Sequence, residues 1–254
     1  MAGKTEFVES KPYAGLFAEV PAREMDGTRP YDTFEQLRKS VNQSSVVLDV
    51  GISTGYKTLP LANYCKVLYG IDPSEELLKK AKENACSLNL CNVYLSEGVA
   101  DALPFDRCSM DLIVSLLSPH NSKEAYNALG PDGIYHIEKV GAGDKRDMKQ
   151  LFGSDEKGPR GYLCEIEAGE RRRNLEQEMR EAGFSDIRSA DIFFDCYYRT
   201  IDDLVLLLKG VPHTVRDFSE DKDREVLDRI NKDMMTEKGI LVRKHEIVVI
   251  GTKQ

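Results

Sequence analysis

The stretch Val46-Val47-Leu48-Asp49-Val50-Gly51-Ile52-Ser53-Thr54-Gly55-Tyr56-Lys57-Thr58 reads as a β-branched strand that runs into a glycine loop and then a helix. Glycines at 51 and 55 let the backbone turn sharply and come close to a ligand, while the helix start offers free N–H groups. Three ligand classes use such a loop, and the spacing separates them. A P-loop requires G-x-x-x-x-G-K-[ST], yet Lys57-Thr58 follows Tyr56 and not glycine. A dinucleotide fingerprint requires G-x-G-x-x-G, and from Gly51 those positions hold Ser53 and Tyr56. What stands is D-x-G-x-S-x-G, Asp49 to Gly55.

Outward from this loop the chain alternates strand and helix. Helical spacing of Phe34, Leu37 and Val41 predicts a helix over Tyr31–Ser40, behind an irregular arm punctuated by Pro12, Pro21, Gly27 and Pro30. A helical stretch at Thr58–Tyr64 and a buried strand at Lys66–Ile71 follow. In Ser74–Leu90, Leu77, Leu78, Ala81, Ala85 and Leu88 share one helix face. Strands at Val93–Leu95, Leu112–Leu116 and Gly133–Val140, with a helix at Ser122–Leu129, continue the pattern. Such βαβ units imply a parallel sheet with helices on both faces. A polar helix at Arg172–Ala182 and a long strand at Ile187–Tyr198 come next. The chain closes on a strand at His245–Thr252. Between these strands, helices at Asp202–Leu208 and Glu220–Met235 read as an insertion at about 200–240 over the sheet's carboxyl edge, where open α/β sheets bind ligands. The organisation is an arm and helix over residues 1–44, covering the active site, and an α/β domain over 45–254.

The Asp49–Gly55 pattern resembles the first motif of the class I S-adenosyl-L-methionine (SAM)-dependent methyltransferases. The next strand, VLYGIDPSEELLKKAKENA, ends in Asp72, 23 residues after Asp49, where an acid can accept both ribose hydroxyls of an adenosine. SEGVADALPF and CSMDLIVSLL resemble the family's adenine-binding and fourth-strand motifs. The resemblance implies a Rossmann-like, seven-stranded, mostly parallel sheet with the last strand antiparallel. It implies cofactor contacts from Asp49, Gly51, Ile52, Ser53, Gly55, Asp72, Pro73, Val99, Ala100 and Ser115, with S-adenosyl-L-homocysteine (SAH) as product. The departure is Val99, where many relatives carry an acid; Asp101 follows two residues later. Two plainer readings stand beside these. Asp72 also suits a helix cap, with Pro73 in the first helical position and Glu75 three residues on. Asp49 also suits bracing of the loop backbone.

LPFDRCSMDLIVSLLSPHN, VGAGDKRDMKQLFG and DDLVLLLKGVPHTVRDF resemble a narrower family, the bacterial large-subunit rRNA guanine-N1 methyltransferases, over roughly residues 46–254. Those enzymes carry an N-terminal zinc module, whereas residues 1–44 contain neither cysteine nor histidine. The chain has 35 Lys and Arg against 43 Asp and Glu, a net charge of −8, which counts against a polyanion as main partner. The reading is methyl transfer to a small-molecule acceptor. Transfer to rRNA guanine and SAM binding without catalysis are the alternatives. A basic stripe of Arg160, Arg171–Arg173 and Arg188 would favour RNA, although Arg171–Arg173 also suits a solvated helix face.

Ser118-Pro119-His120-Asn121 leaves the fourth strand where an acceptor would sit. His120 is placed to act as general base, and Asn121 to orient the acceptor; a loop histidine without a catalytic part is the competing reading. His136 reads as a core residue and His213 as a lining residue of the acceptor pocket. Arg29 suits the SAM carboxylate, and Tyr13 and Tyr31 either close over SAM or anchor the arm. No metal role follows from the sequence, and the acids of 217–223 read as a solvated helix entrance. Six scattered cysteines without C-x-x-C read as buried thiols in a reducing compartment. MAGKTEFVES has no apolar signal core and no apolar run nears the ~18 residues of a membrane span, so the expectation is a cytoplasmic protein with no membrane role.

Overall fold

The computed structural model describes residues 24–26 and 29–254. The strands are β1 (Glu24–Asp26), β2 (Val46–Val50), β3 (Val67–Asp72), β4 (Val93–Glu97), β5 (Met110–Leu116), β6 (Leu129–Val140), β7 (Ser154–Asp155), β8 (Gly158–Pro159), β9 (Ser185–Tyr198), β10 (Met235–Thr236) and β11 (Gly239–Thr252). The helices are α1 (Thr33–Lys39), α2 (Glu75–Ser87), α3 (Ser122–Ala128), α4 (Arg146–Gln150), α5 (Glu170–Ala182), α6 (Ile201–Gly210) and α7 (Arg224–Asp233), with a 3₁₀ turn at Leu59–Tyr64.

The main sheet runs β4-β3-β2-β5-β6-β11-β9-β1, with β10 attached to β11. Strands β4, β3, β2, β5 and β6 are mutually parallel, and β11 lies antiparallel between β6 and β9. This is the expected Rossmann-like arrangement. Its central seven strands gain two short ones, so the sheet has nine among the described residues. The Glu-Met-Asp of β1 shows no apolar alternation, and it forms by pairing with β9 at Glu24↔Tyr198. Most of the arm, including Tyr13, lies outside the described residues.

The chain passes from β2 outward to β3 and β4, then returns to place β5 on the other side of β2. The carboxyl ends of β2 and β5 therefore flank a switch point, where loops leaving in opposite directions open a crevice. Beneath it lie two cores. On one face Leu48, Ile71, Ile113, Tyr135 and Ile137 pack against Ala125, Leu175 and Met179 of α3 and α5. On the other, Val47, Leu68, Leu112 and Val114 pack against Leu37, Leu59 and Leu78.

Strand β11 pairs with β6 only from Glu246 onward, so its first half rises with the end of β9 beyond the parallel strands. The 200–240 segment packs on that projection. Leu204, Leu207 and Leu208 of α6 and Leu227 and Ile230 of α7 join Cys196, Tyr198, Ile240 and Val242 in a further core. The helix expected from Glu220 begins at Arg224, and the acids before it are not all solvated. Asp223 is 2% exposed and takes both arms of the Arg160 guanidinium, at 2.6 and 2.9 Å. The cysteines are all free. Cys65, Cys164 and Cys196 are buried as expected, but Cys86, Cys91 and Cys108 are exposed because they sit on polar helix and loop surfaces. No helix among the described residues is long and apolar enough to cross a membrane.

Cutting a buried ion pair on one side strands the other charge, at a cost of about 3 kcal/mol. Asp223→Ala should lower stability by that amount in urea unfolding. Asp155→Ala, which frees Arg216 at a solvent-open pair, should cost far less; equal losses would show that Asp223 works through something other than its buried charge.

Candidate active site

The first loop is held from below. Gly51 and Ile52 N–H both donate to the Ile71 carbonyl, at 2.8 and 3.0 Å, which folds the loop over the end of β3. Gly51 has φ +79°, and a Cβ built there would stand 2.4 Å from Cβ of Ser118. The loop after β5 thus lies directly against the loop after β2, and only glycine permits that approach. Ser118 fixes the contact by donating its hydroxyl to the Val50 carbonyl at 2.5 Å. Ser53 and Leu117, neither of them glycine, take φ values of +54° and +59° in the same two loops. Backbone strain of this kind gathers at ligand sites.

Asp72 is buried at the end of β3 and spans two segments. Its Oδ2 accepts from Ser53 N–H and its Oδ1 from Ser74 N–H, both at 2.9 Å. The cap of α2 is Ser74, whose hydroxyl accepts from Leu77 N–H. Asp72 is therefore not the cap, and Pro73 precedes the cap instead of opening the helix. Asp72 ties the glycine loop to the start of α2 and presents a carboxylate at the place where the resemblance puts a ribose.

Asp49 is 3% exposed. One carboxylate oxygen accepts from Thr58 at 2.5 Å, while Oδ1 is buried without a partner. Burial pushes its carboxyl up to about 7, against the hydrogen bond from Thr58, which lowers it. An orphaned carboxylate oxygen under a strained glycine loop fits a cationic ligand group such as the ammonium of SAM.

Other expected contacts divide. Val99 is exposed and bridges to Ala102 by backbone pairing, and Ala100 is buried. Ser115 has no exposed surface, and its hydroxyl lies 3.1 Å from that of Tyr135 inside the core. Its side chain lies on the same face of β5 as Ile113, toward the core packed by α3 and α5. Asp101 accepts from Asn121 Nδ2 at 3.1 Å.

Asn121 is the cap of α3. Its Oδ1 accepts from Lys123 and Glu124 N–H, each at 3.1 Å, so the carbonyl end is committed to the cap, while Nδ2 spends one of its two N–H donors on Asp101 and keeps the other. His120 stands apart from this. Its Nε2 lies 3.1 Å from Oε2 of Glu178 on α5, and Ser122 donates to the other carboxylate oxygen at 2.7 Å. Burial pushes Glu178 up, but the hydrogen bonds from His120 and Ser122 hold it down to about 2. Burial lowers His120 from its ordinary value. A carboxylate that accepts only leaves the proton on Nε2 and the lone pair on Nδ1.

Arg29 is held elsewhere. It reaches Glu138 at 3.3 Å and Glu246 at 2.9 Å, both buried, because β6 and β11 bring two carboxylates under the start of α1. Tyr31 sits beside it with its ring 6.3 Å from His136, and burial raises its hydroxyl to about 12. His136 is buried and 3.3 Å from Glu138. His213 is exposed at the turn after α6. Sequence reasoning passed over Glu178, which carries no motif, and Lys139, whose charge inside the strand GIYHIEKV was a usable signal. Among the described residues no cluster of three or more His, Cys, Asp or Glu could hold a metal ion.

A family model described as a methyltransferase domain matches residues 47–133. The protein-L-isoaspartate O-methyltransferase of Caulobacter vibrioides is 29% identical over 133 residues, 50% of this chain and 58% of that protein. An uncharacterized methyltransferase of Geobacillus is 27% identical over 215 residues, 81% of this chain and 91% of that protein. The chain thus spans little more than half the length of the Caulobacter relative. Among solved structures, YcgJ of Bacillus subtilis superposes with a TM-score of 0.61 at 18% identity, covering 87% of this chain and 97% of that one. The [4+2]-cyclase SpnF superposes with a TM-score of 0.59 at 16% identity, covering 94% and 92%. The fold is shared with these two solved structures, and residues 47–133 match a methyltransferase domain model.

The buried Asp49 gives a test in the protein without ligand. A folded-state carboxyl near 7 keeps a proton that the unfolded chain releases near 4, so its contribution to stability falls as pH rises between those values. Asp49→Asn should stabilise the free protein, with a gain over wild type that grows through this window to about 4 kcal/mol at pH 8. Thermal unfolding from pH 4.5 to about pH 8 reads it; a constant offset across the range would refute the assignment.

Proposed function

We propose, on the premise that residues 47–133 form a methyltransferase domain, that the chain transfers a methyl group from SAM to a small-molecule acceptor. The observation that carries the reading is the pair of buried carboxylates under one glycine loop. Asp72 is oriented by Ser53 and Ser74, and Asp49 keeps a free oxygen. Asp72 would accept the ribose hydroxyls, Asp49 the ammonium, and the backbone at Gly51–Ser53 would line the ligand. Val99 and Ala100 would border the adenine. Bound there, SAM supplies an electrophilic methyl group on a sulfonium and leaves as SAH.

What remains for the chain is alignment and proton removal. His120 follows directly on the loop that touches Gly51, and Glu178 fixes its tautomer, so Nδ1 takes the proton of an acceptor O–H or N–H. Its lowered basicity keeps it neutral near pH 7. The 200–240 segment and the N-terminal arm would wall the acceptor.

The rRNA guanine-N1 reading draws on the resemblance of residues 46–254. It calls for an arginine stripe, yet Arg160 is buried on Asp223 and Arg172 is engaged by Asp191 and Glu176. The charges committed to acids favour the smaller acceptor. SAM binding without methyl transfer is the third reading, and a [4+2]-cyclase on the same fold shows that fold does not fix reaction.

Methyl-tritiated SAM incubated with the protein and cell lysate, then divided into large RNA, protein and low-molecular-weight filtrate, should place label in the filtrate. Label in ribosomal RNA would establish the second reading, and SAM binding without any label the third. For the cofactor seat, Asp72→Ala should weaken SAH binding at least thirtyfold by calorimetry. Ser74→Ala should leave SAH affinity within twofold while costing about 1 kcal/mol of stability. Equal effects on binding would reduce Asp72 to a local brace.

A further inference from the structure

Beside the loop after β5, four ionisable side chains from three elements meet. Lys139, near the end of β6, shares the face of Tyr135 and Ile137, which packs against α5. It is 6% exposed, and its ammonium donates to the Ser118 carbonyl. Arg171 and Glu178 are seven residues apart on α5, so they project from one side of that helix two turns apart. His120 completes the group through Glu178.

The charges in this group do not balance. The Glu178 carboxylate has both oxygens engaged, by His120 and Ser122. The Nε of Arg171 is buried and has no hydrogen-bond partner. Two cations therefore share one carboxylate that is already bonded elsewhere. Burial and then the neighbouring Arg171 charge press Lys139 down to about 7, and Lys139 and Arg171 in turn help to lower His120. An unmade hydrogen bond on a buried charged group is costly, and so is a pair of like charges. An anion from outside relieves both at once, by accepting from the guanidinium fork and facing the ammonium.

We infer that Lys139 and Arg171 form the seat of an anionic group, a carboxylate or a phosphoryl, carried by the methyl acceptor, with His120 beside the atom to be methylated. The inference rests on the switch-point crevice being the site of methyl transfer, and it narrows the acceptor class to anionic small molecules. Arg171 grips the anion, Lys139 faces it, and Glu178 keeps His120 turned so that Nδ1 is free for the acceptor proton.

The test is calorimetric titration of the full chain, saturated with SAH, in low-chloride buffer at about pH 6.5. Benzoate and phenyl phosphate are the anionic probes and benzyl alcohol is the neutral control. One anion should bind at least tenfold more tightly than the alcohol, and the preferred one identifies the group. Arg171→Gln and Lys139→Met should each weaken that binding at least tenfold with SAH affinity within twofold. Arg173→Gln, at an exposed position two residues on, should change nothing. Anions that bind no better than the alcohol, or that bind the two variants as they bind wild type, would overturn the seat. If SAH itself fails to bind wild type, the cofactor reading falls. The same titrations on the free protein then judge the anion seat alone.

Discussion

The absence of a side chain at residue 51 decides how this site is built. Strands β2 and β5 are neighbours, so the loops that leave their carboxyl ends must diverge or press together. Here they press together, with Ser118 in the space a Cβ at 51 would fill and its hydroxyl on the Val50 carbonyl. That contact sets the start of the segment through His120 and Asn121, and through the cap at Asn121 it sets the start of α3. It also brings the Ser118 carbonyl to Lys139. The glycine loop after β2 and the segment that carries His120 are thus referenced to one point of backbone contact.

Rigidity on the opposite face comes from a buried polar network. Glu138 collects Arg29, Thr33 and His136, while Glu246 shares Arg29 and lies near Lys244. Burial pushes Glu138 up, but the hydrogen bond and charge of His136, with help from Lys57 and Thr33, hold it down to about 2. Such a network contributes less net stability than its bonds suggest, because each ion was desolvated to make it. Its stronger effect is positional. It fixes the start of α1 against β6 and β11, so the described end of the arm enters over the carboxyl edge by a defined route.

The sequence disclosed the sheet because each of its central strands is a run of apolar, β-branched residues bounded by turn residues, and each connecting helix has its own periodic face. Val46–Val50 was legible to the residue for this reason. What was not legible depends on partners distant in the chain. The three residues of β1 become a strand only against Tyr198, and Arg146–Gln150 is too short to show a period. At the site, Gly51 and Asp72 were legible because backbone geometry leaves a local signature. The engagement of Arg29, Asn121 and Arg160 was not, since long polar side chains commit to acids far away in sequence. The hydroxyl of Ser115 was equally hidden from the sequence, since its partner Tyr135 lies on the neighbouring strand.

The division of the chain bears on what determines its chemistry. The matched region, 47–133, contains the glycine loop, Asp49 and Asp72, and also His120. Lys139, Arg171 and Glu178 lie beyond it, on β6 and α5. Side chains that hold a cofactor common to many enzymes are constrained by one unvarying ligand, so their spacing is recognisable in a single chain. Side chains that meet the acceptor answer to a different molecule in each enzyme. They leave no shared spacing, and only the charge balance of a folded site makes them visible. His120, inside the matched region, and Glu178, beyond it, are the pair through which the two stretches of chain touch at the crevice.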